Sequence, residues 1–260
     1  MLKWLILCFQ EELWEYRKYW WIALLIICIV SFFNRSNLHS VTTIEPETLK
    51  QPIQTELYKA KPVCFQRDGY TYDLTPLYQY DISGLVVGAF NYENFSSEKF
   101  ERVFPLDVCL IWGNNLQRRV HLNPGVHFSQ DCRWCWVNWS GPVDFNLQEL
   151  SNNHLIIKDD RVWQIAKQLM RGDQVHITGK LVNAVIKPLS GSGSPILWNT
   201  SLIRSDSGAG ACEIILVEDI RVLRTANGVA RFLFGVSFWA LVILLCWRFV
   251  ALFRQTLPKQ

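Results

Sequence analysis

Two long apolar runs lie near the ends of the chain and divide it into three parts. Residues 19–33 and 232–247 contain no charged residue, and each run continues into apolar or aromatic flanks. Crossing a bilayer takes about 20 apolar residues, so the runs with their flanks predict transmembrane helices over residues 19–33 and 229–250. Residues 1–18 predict an amphipathic segment that lies on the membrane surface or docks a partner, because apolar residues recur at helical spacing at positions 2, 5, 6, 9, 13 and 16.

A cleaved signal peptide is the alternative interpretation of the first run. The segment ahead of it carries glutamates at positions 11, 12 and 15, and the residues after it, Ser-Phe-Phe-Asn-Arg, contain no small-x-small cleavage site. Signal peptides have basic leading regions and small residues at the cleavage site. An uncleaved anchor is therefore favoured.

The basic residues that flank the first run predict the orientation of the chain. Lys3, Arg17 and Lys18 precede the run, and only Arg35 follows it closely. Short cytoplasmic flanks are enriched in Lys and Arg, so the N-terminus is expected in the cytoplasm. Basic residues flank the second run on both sides, but two spans return the tail over residues 251–260 to the cytoplasm. The middle of the chain then faces outward, which in a bacterial inner membrane means the periplasm.

The middle of the chain predicts a mainly β domain. Residues 34–73 are polar at first and show no sustained period, which indicates a linker, and the domain is expected over residues 74–225. Three strands, a helix and two strands form the order of the OB-fold barrel, so we predict a small OB-like β-barrel; a different small barrel or a sandwich is the alternative. The expected strands cover residues 80–92, 104–112, 126–139, 174–186 and 211–223, and the helix covers residues 160–170.

Composition and charge narrow the possible partners. Half of the residues are hydrophobic, as expected for a chain that contacts a lipid bilayer. The net charge is +3, without a long basic run, so the electrostatic signature of a nucleic-acid binder is missing. No motif indicates a cofactor, and none is expected.

Three blocks of residues carry a resemblance to other proteins. They are residues 151–156 (SNNHLI), 171–182 (RGDQVHITGKLV) and 198–213 (WNTSLIRSDSGAGACE). Through these blocks the chain resembles a group of uncharacterised bacterial inner-membrane or envelope proteins with an OB-like extracytoplasmic domain. The resemblance implies a folded domain outside the cytoplasm and supplies no reaction.

The cysteines of the middle part suggest disulfide chemistry. Cys132 and Cys135 have the spacing of thiol–disulfide enzymes. In a strand, however, residues three apart point to opposite faces and lie roughly 10 Å apart, too far to bond to each other. A structural disulfide is favoured, with Cys109, Cys64 or Cys212 as a partner.

A zinc site drawn from His121, His127, Cys132 and Cys135 is a weaker hypothesis. These are zinc-ligand residue types, but their spacing matches no standard finger. No metal site is predicted.

His154, Ser201 and Asp206 are the residue types of a hydrolytic triad. No Gly-x-Ser-x-Gly motif surrounds Ser201, and such residues co-occur by chance in chains of this size. A buried histidine that holds the loop before the helix is the favoured interpretation of His154.

The segment from Arg204 to Gly210 is a candidate anion site. Arg204 beside the glycine-rich turn of Gly208 and Gly210 can present a planar cation and backbone N–H groups to an anion. The alternative is a tight loop in which Arg204 pairs with Asp206 or Glu213.

Four tryptophans are candidates for a ligand platform, as OB domains use for sugars or bases: Trp134, Trp136, Trp139 and Trp198. Core packing is the alternative role for these residues.

These patterns together favour a non-enzymatic binding or assembly module for an envelope or membrane protein partner. The alternative function is an envelope hydrolase that uses a polar cluster around His154 and Arg204, with Ser201 and Asp206.

Overall fold

The computed structural model describes residues 17–67, 69–92, 104–191, 193–203, 206 and 211–256. Most of the amphipathic segment predicted over residues 1–18, the last four residues of the predicted tail and three candidate site residues, Arg204, Gly208 and Gly210, lie outside the described part. The chain forms two compact units, one made of Met1–Asn37 and Asn227–Gln260, the other of Leu38–Ala226.

The described residues contain four α-helices. They are α1 (Arg17–Asn34), α2 (Gly113–Gln117), α3 (Asp160–Gln168) and α4 (Gly228–Thr256). Within α4, Gly228–Ala251 spans 24 residues with a mean hydropathy of 2.2, or about 36 Å at 1.5 Å per residue. By length and composition this helix can cross a hydrocarbon core of about 30 Å.

The first apolar helix is shorter than the predicted transmembrane span requires. Its apolar part, Tyr19–Asn34, falls below the length of a spanning helix, so α4 is the one helix in the described ranges that is long and apolar enough to cross a membrane. Within their unit, α1 and α4 meet at Phe32 and Phe234, whose ring centroids are 5.6 Å apart. The Arg35 guanidinium lies 4.3 and 4.5 Å from these two rings.

The other unit is mainly β. Its described strands are β1 (Ile53–Glu56), β2 (Val63–Arg67), β3 (Tyr70–Asn91), β4 (Leu106–Ile111), β5 (Val126–Asp131), β6 (Trp134–Trp139), β7 (Leu150–Ile157), β8 (Gln174–Pro188), β9 (Ile196–Trp198) and β10 (Cys212–Arg224). Eight of them form one large mixed sheet, and β5 and β6 form a separate hairpin.

The large sheet is organised around β3. This strand pairs antiparallel with β1, β2, β4 and β8. From β4 the antiparallel pairing continues to β7, and β7 pairs parallel with β10. Since β10 pairs antiparallel with β8 and β8 with β3, the series of pairings returns to the strand where it began.

Helix α3 packs on the main apolar core. Asp159 caps it by accepting a hydrogen bond from the Val162 backbone N–H at 2.9 Å, which satisfies a donor that has no partner inside the helix. Its buried face carries Val162, Trp163 and Ala166, which belong to the same cluster as Leu155 and Ile177. The helix lies where the sequence pattern predicts it.

The predicted single strand over residues 126–139 is instead the hairpin of β5 and β6. Asp131 pairs with Trp134, which leaves Cys132 and Arg133 as a two-residue turn. Arg133 has a φ of 72°, a left-handed conformation usual at such turns and rare elsewhere for residues other than glycine. The alternation of large residues predicted one straight strand because the turn contains no Gly, Asn or Pro.

The hairpin packs closely on the large sheet at Gly88 of β3. A Cβ atom at this position would lie 2.7 Å from Gln130 Cβ, so only glycine leaves room for the hairpin. Beside it a disulfide joins Cys135 of β6 to Cys109 of β4, with 5.8 Å between the Cα atoms. The hairpin is therefore covalently fixed to the sheet.

Residues 34–73 also differ from the predicted linker. Leu38, Val41 and Thr48 are buried, the strands β1 and β2 lie in this range, and β3 begins at Tyr70. The folded unit thus covers Leu38–Ala226 rather than residues 74–225. The helical turns Leu38–Ser40 and Pro46–Leu49 and the strands β1 and β2 are too short to give this range a sustained helical or strand period.

Strand β7 replaces the loop expected before the helix. It runs through Ser151, Asn152, Asn153 and His154, all buried polar residues. A run of polar residues predicts a loop, because β-branched and aromatic residues are the usual signal of a strand.

Gly179 of β8 gives a test of how closely β8 packs against β10. A Cβ atom there would lie 2.4 Å from the Leu216 backbone oxygen, so we expect Gly179→Ala to lower the free energy of unfolding by about 1–3 kcal/mol. Urea denaturation of the full chain in detergent measures the change. Gly235→Ala is the control, because no atom lies within 4 Å of its added Cβ. Equal stability of the Gly179→Ala variant and the unaltered chain would contradict the packing.

Candidate functional site

A buried polar cluster lies where β4, β7 and β10 run side by side. Asp107 of β4 is directly opposite His154 of β7, so their side chains share a face of the sheet. On the other side of β7, Cys212 of β10 is in register with Asn152. Strand pairing thus brings together residues that are about 45 to 105 positions apart in the chain.

Asp107 and His154 form a buried ion pair. Their side chains are 0% and 1% exposed, and His154 Nδ1 lies 2.6 Å from Asp107 Oδ2. Isolated charges are strongly disfavoured in a protein interior. Each of these two groups therefore depends on the other for its place in the core.

Tyr92 completes the surroundings of Asp107. Its hydroxyl donates a hydrogen bond to Asp107 Oδ2 at 2.5 Å. Burial first, and then the negative charge of Asp107, raise the pKa of Tyr92. The phenol consequently stays protonated and remains a donor to the carboxylate.

His154 is positively charged at neutral pH. Burial lowers the pKa of this imidazole, but the charge and hydrogen bonding of Asp107, together with Cys212, outweigh burial and raise the pKa to about 10. The site therefore holds an imidazolium next to a carboxylate and a thiol.

Cys212 lies on the side of His154 that is not occupied by Asp107's strand. Its sulfur is 3.5 Å from Asn152 Nδ2 and 3.9 Å from the Arg133 carbonyl oxygen. Asn152 Nδ2 also donates to that carbonyl oxygen at 2.6 Å. The turn of the hairpin and strand β10 are thus linked through one amide side chain.

Aromatic rings cover the histidine. The Trp198 and Phe104 ring centroids lie 5.1 and 5.9 Å from the His154 ring. Trp198 also lines a pocket of about 130 Å³ together with Arg133, Ile196 and Leu197. The wall of this pocket is part polar, from Arg133, and part apolar, from the three residues of β9.

The predicted triad of His154, Ser201 and Asp206 is not assembled among the described residues. Ser201 Oγ donates to Asp206 Oδ2 at 2.5 Å and accepts from the Ile203 N–H at 3.1 Å. No hydrogen bond or ion pair within that part of the chain joins either residue to His154, whose partner is Asp107 instead. Ser201 and Asp206 bond to each other, and His154 belongs to strand β7.

The cysteine and zinc hypotheses have different outcomes. Cys109 and Cys135 form the disulfide, whereas Cys132 and Cys212 are thiols. The zinc set is not assembled, since Cys135 is oxidised and the buried His121 has its Nε2 2.9 Å from the Val41 carbonyl oxygen. Across the described ranges, no three His, Cys, Asp or Glu residues come close enough to hold a metal.

The four candidate platform tryptophans divide into separate groups. Trp134 and Trp136 stack with their centroids 5.8 Å apart and are 38% and 50% exposed. Trp139 stacks on Phe145 at 5.5 Å, while Trp198 packs against His154. Trp134 and Trp136 therefore form one exposed stacked pair on the hairpin, and Trp139, which is 41% exposed, forms a second stack with Phe145.

The sequence analysis did not identify Asp107 and Tyr92 as site residues. The available signal was a single carboxylate within the apolar stretch of residues 104–112. A lone acid in a buried strand requires a partner, and His154 was the obvious candidate by residue type. The pairing of Asp107 with His154 depends on the register between β4 and β7, which the local sequence pattern does not predict.

Comparisons with protein-family models, with curated proteins and with solved structures found no match for this chain. The resemblance to bacterial envelope proteins stays a prediction from the sequence blocks.

The buried ion pair makes stability dependent on pH. The pKa of His154 in the folded protein is about 10, above its ordinary value of 6.5, so the folded state keeps a proton that the unfolded chain releases. The stabilisation is complete below about pH 6.5 and is lost as the pH rises toward 10, with a slope of up to about 1.4 kcal/mol per pH unit.

Urea denaturation at about pH 7, 8 and 9 measures this slope. We expect the stability of the unaltered chain to fall over this range, and we expect His154→Gln to be less stable at pH 7 and to have a shallower slope. Parallel slopes for the two proteins would contradict a protonated His154.

Proposed function

We propose that this chain is a bacterial inner-membrane protein whose OB-like domain faces the periplasm and binds an envelope protein partner without catalysing a reaction. The observation that carries the proposal is the stacked pair of Trp134 and Trp136, exposed on a hairpin that is fixed to the large sheet.

An OB-like barrel is supported by the order of strand pairing. The five pairings run β3, β4, β7, β10, β8 and back to β3, with the one parallel pair between β7 and β10. Helix α3 lies between β7 and β8 in the chain. This is the order expected of an OB barrel, which has five strands in Greek-key order.

The proposed topology has two spans, with both termini in the cytoplasm. Contact between α1 and α4 within one unit supports it, because a short first helix can be accommodated beside a longer one. The Arg231 side chain of α4 also donates to the Arg35 backbone oxygen at 3.2 Å. A disulfide in the Leu38–Ala226 unit fits an oxidising compartment such as the periplasm.

The hairpin is held by noncovalent contacts as well as by its disulfide. Gln130 Nε2 donates to Asn152 Oδ1 at 3.1 Å, and Asn152 donates back to the Arg133 carbonyl oxygen in the turn. Arg171 Nη1 donates to the Phe128 carbonyl oxygen at 3.4 Å. The turn of the hairpin and the middle of β5 are thus attached to the rest of the unit.

A fixed aromatic surface is well suited to binding. Tryptophan is enriched among the residues that dominate binding energy at interfaces. A surface that is ordered before binding loses little conformational entropy when a partner arrives. Trp134 and Trp136 combine both properties.

Photocrosslinking in cells tests this surface. Ser129 lies opposite Trp136 across the hairpin and is exposed, so a photoreactive residue there leaves both tryptophans in place. We expect one dominant adduct, and we expect Trp134→Ala with Trp136→Ala to reduce its yield at least about tenfold, as loss of 1.4 kcal/mol or more of binding energy would.

A photoreactive residue at Tyr58, which is 91% exposed between β1 and β2, is the matched control and should not give that adduct. Thermal unfolding of the double variant should match that of the unaltered chain. The same adduct yield with and without the tryptophans would contradict the proposed surface.

An envelope hydrolase built around His154 and Arg204 is the alternative. The Asp107–His154 pair favours it, since a carboxylate that holds an imidazole is part of many hydrolytic sites. Ser201 is not joined to this pair within the described part of the chain, so the alternative requires a different nucleophile.

A further inference from the structure

The geometry points to a second binding site, beside strand β9, that takes the C-terminal residue of a peptide whose last side chain is apolar. The inference goes beyond partner binding by Trp134 and Trp136 and does not depend on it. It rests on three features: a pocket with a cationic side and an apolar side, a guanidinium placed on that pocket, and a strand edge that no described strand covers.

The first feature is the pocket of about 130 Å³ lined by Arg133 and by the three residues of β9. A cavity of about 150 Å³ holds one benzene ring, so this pocket has the size of a single side chain. Arg133 supplies its cationic side, and the apolar side consists of Ile196, Leu197 and Trp198. A ligand that fills the pocket therefore carries a negative group close to an apolar one.

The second feature is the position of Arg133. Its carbonyl oxygen accepts a hydrogen bond from Asn152 Nδ2 at 2.6 Å, which anchors the turn of the hairpin. Its guanidinium carbon lies over the Trp198 ring, 5.0 Å from the ring centroid. The N–H groups of a guanidinium lie in its plane and match the two oxygens of a carboxylate. Arginine can therefore contact an aromatic ring and a carboxylate at the same time.

The indole wall of the pocket is held from behind by two buried rings. The Phe104 ring centroid lies 4.8 Å from that of Trp198 in an edge-on contact, and the His154 ring centroid lies 5.1 Å away. A site that is ordered before binding loses little conformational entropy when a ligand arrives. Trp198 thus gives the pocket an apolar wall that is in place before a ligand binds.

The third feature is the outer edge of β9. Among the described strands β9 pairs only with β8, over Ile196–Trp198. A strand at the edge of a sheet presents backbone N–H and C=O groups to a further strand. Extended peptides bind to other proteins by adding a strand to such an edge. Since all three residues of β9 line the pocket, a peptide beside this strand also reaches the pocket.

The C-terminal residue of a peptide matches all three features at once. Its carboxylate and its side chain are attached to the same Cα atom, so both reach a pocket in which the cation and the apolar wall are adjacent. An acidic side chain within a peptide has no apolar group on the same residue. Because Arg133 lies over Trp198, the last residue of β9, the bound peptide runs parallel to β9.

Fluorescence polarisation with the full chain in detergent micelles tests the site. The first probe is fluorescein-labelled Gly-Ser-Thr-Val-Thr-Leu, and the second is the same peptide with a C-terminal amide, which removes the terminal charge and keeps every side chain. We expect the acid to bind at least about tenfold tighter than the amide, because hydrogen bonds to charged groups are the strong ones. A third probe that ends in Ser should also bind at least about tenfold more weakly, since it buries no apolar side chain.

Arg133→Gln is the variant that tests the cation, and Arg161→Gln is its matched control. We expect Arg133→Gln to bind the acid and the amide equally. Arg161 is an exposed arginine of α3 whose side chain lies 3.6 Å from Asp219. Its replacement removes the same charge from the same unit without altering the pocket, so the preference of the Arg161→Gln variant for the acid should match that of the unaltered chain.

The three probes test the inference on the unaltered chain even if Arg133→Gln folds poorly. Equal affinities for the acid and the amide, or no binding of the acid at about 1 mM, would overturn it. An unchanged preference for the acid in Arg133→Gln would overturn it as well. Hexanoate that displaces the probe as effectively as the unlabelled peptide does would assign the pocket to a free aliphatic acid and not to a peptide. None of these outcomes bears on the tryptophan surface, which has its own crosslinking assay.

Discussion

The fold depends on one long strand that serves four partners. Strand β3 pairs with β1 and β2 within its first half, with β8 from Tyr70 to Leu85, and with β4 from Leu85 to Asn91. It holds the two ends of the pairing series together, since both β4 and β8 lie beside it. Irregular pairing near Leu77 and Val87 lets so long a strand bend, as bulges do in small barrels. Without β3, neither the polar cluster nor the hairpin would have a fixed position.

The tryptophan hairpin and the buried polar cluster are joined by shared contacts. The turn at Arg133 ends the tryptophan hairpin and also supplies the carbonyl oxygen beside Cys212. Asn152 holds the turn through one amide hydrogen and reaches the sulfur with the same nitrogen. A partner bound at Trp134 and Trp136 would therefore contact the element that covers the thiol.

Sequence reasoning succeeded where local pattern decides structure. Helix α3 has a capping aspartate and an apolar face, and helix α4 has a long uncharged stretch; both lie where they were expected. Sequence reasoning failed where contacts between residues far apart in the chain determine the structure. Strand β7 is polar along most of its first half yet buried, because its partners β4 and β10 enclose it. The Asp107–His154 pair likewise requires a strand register that no local pattern records.

The redox state of the Cys109–Cys135 pair in living cells tests the account most directly, because the fixed hairpin and the periplasmic location both depend on it. Intact cells are quenched in acid, free thiols are alkylated, and disulfides are then reduced and labelled with a second reagent before peptide mass analysis. The account predicts that Cys109 and Cys135 carry the second label, while Cys64 and Cys212 carry the first. If Cys109 and Cys135 instead carry the first label, the domain lies in a reducing compartment and the hairpin is not covalently fixed.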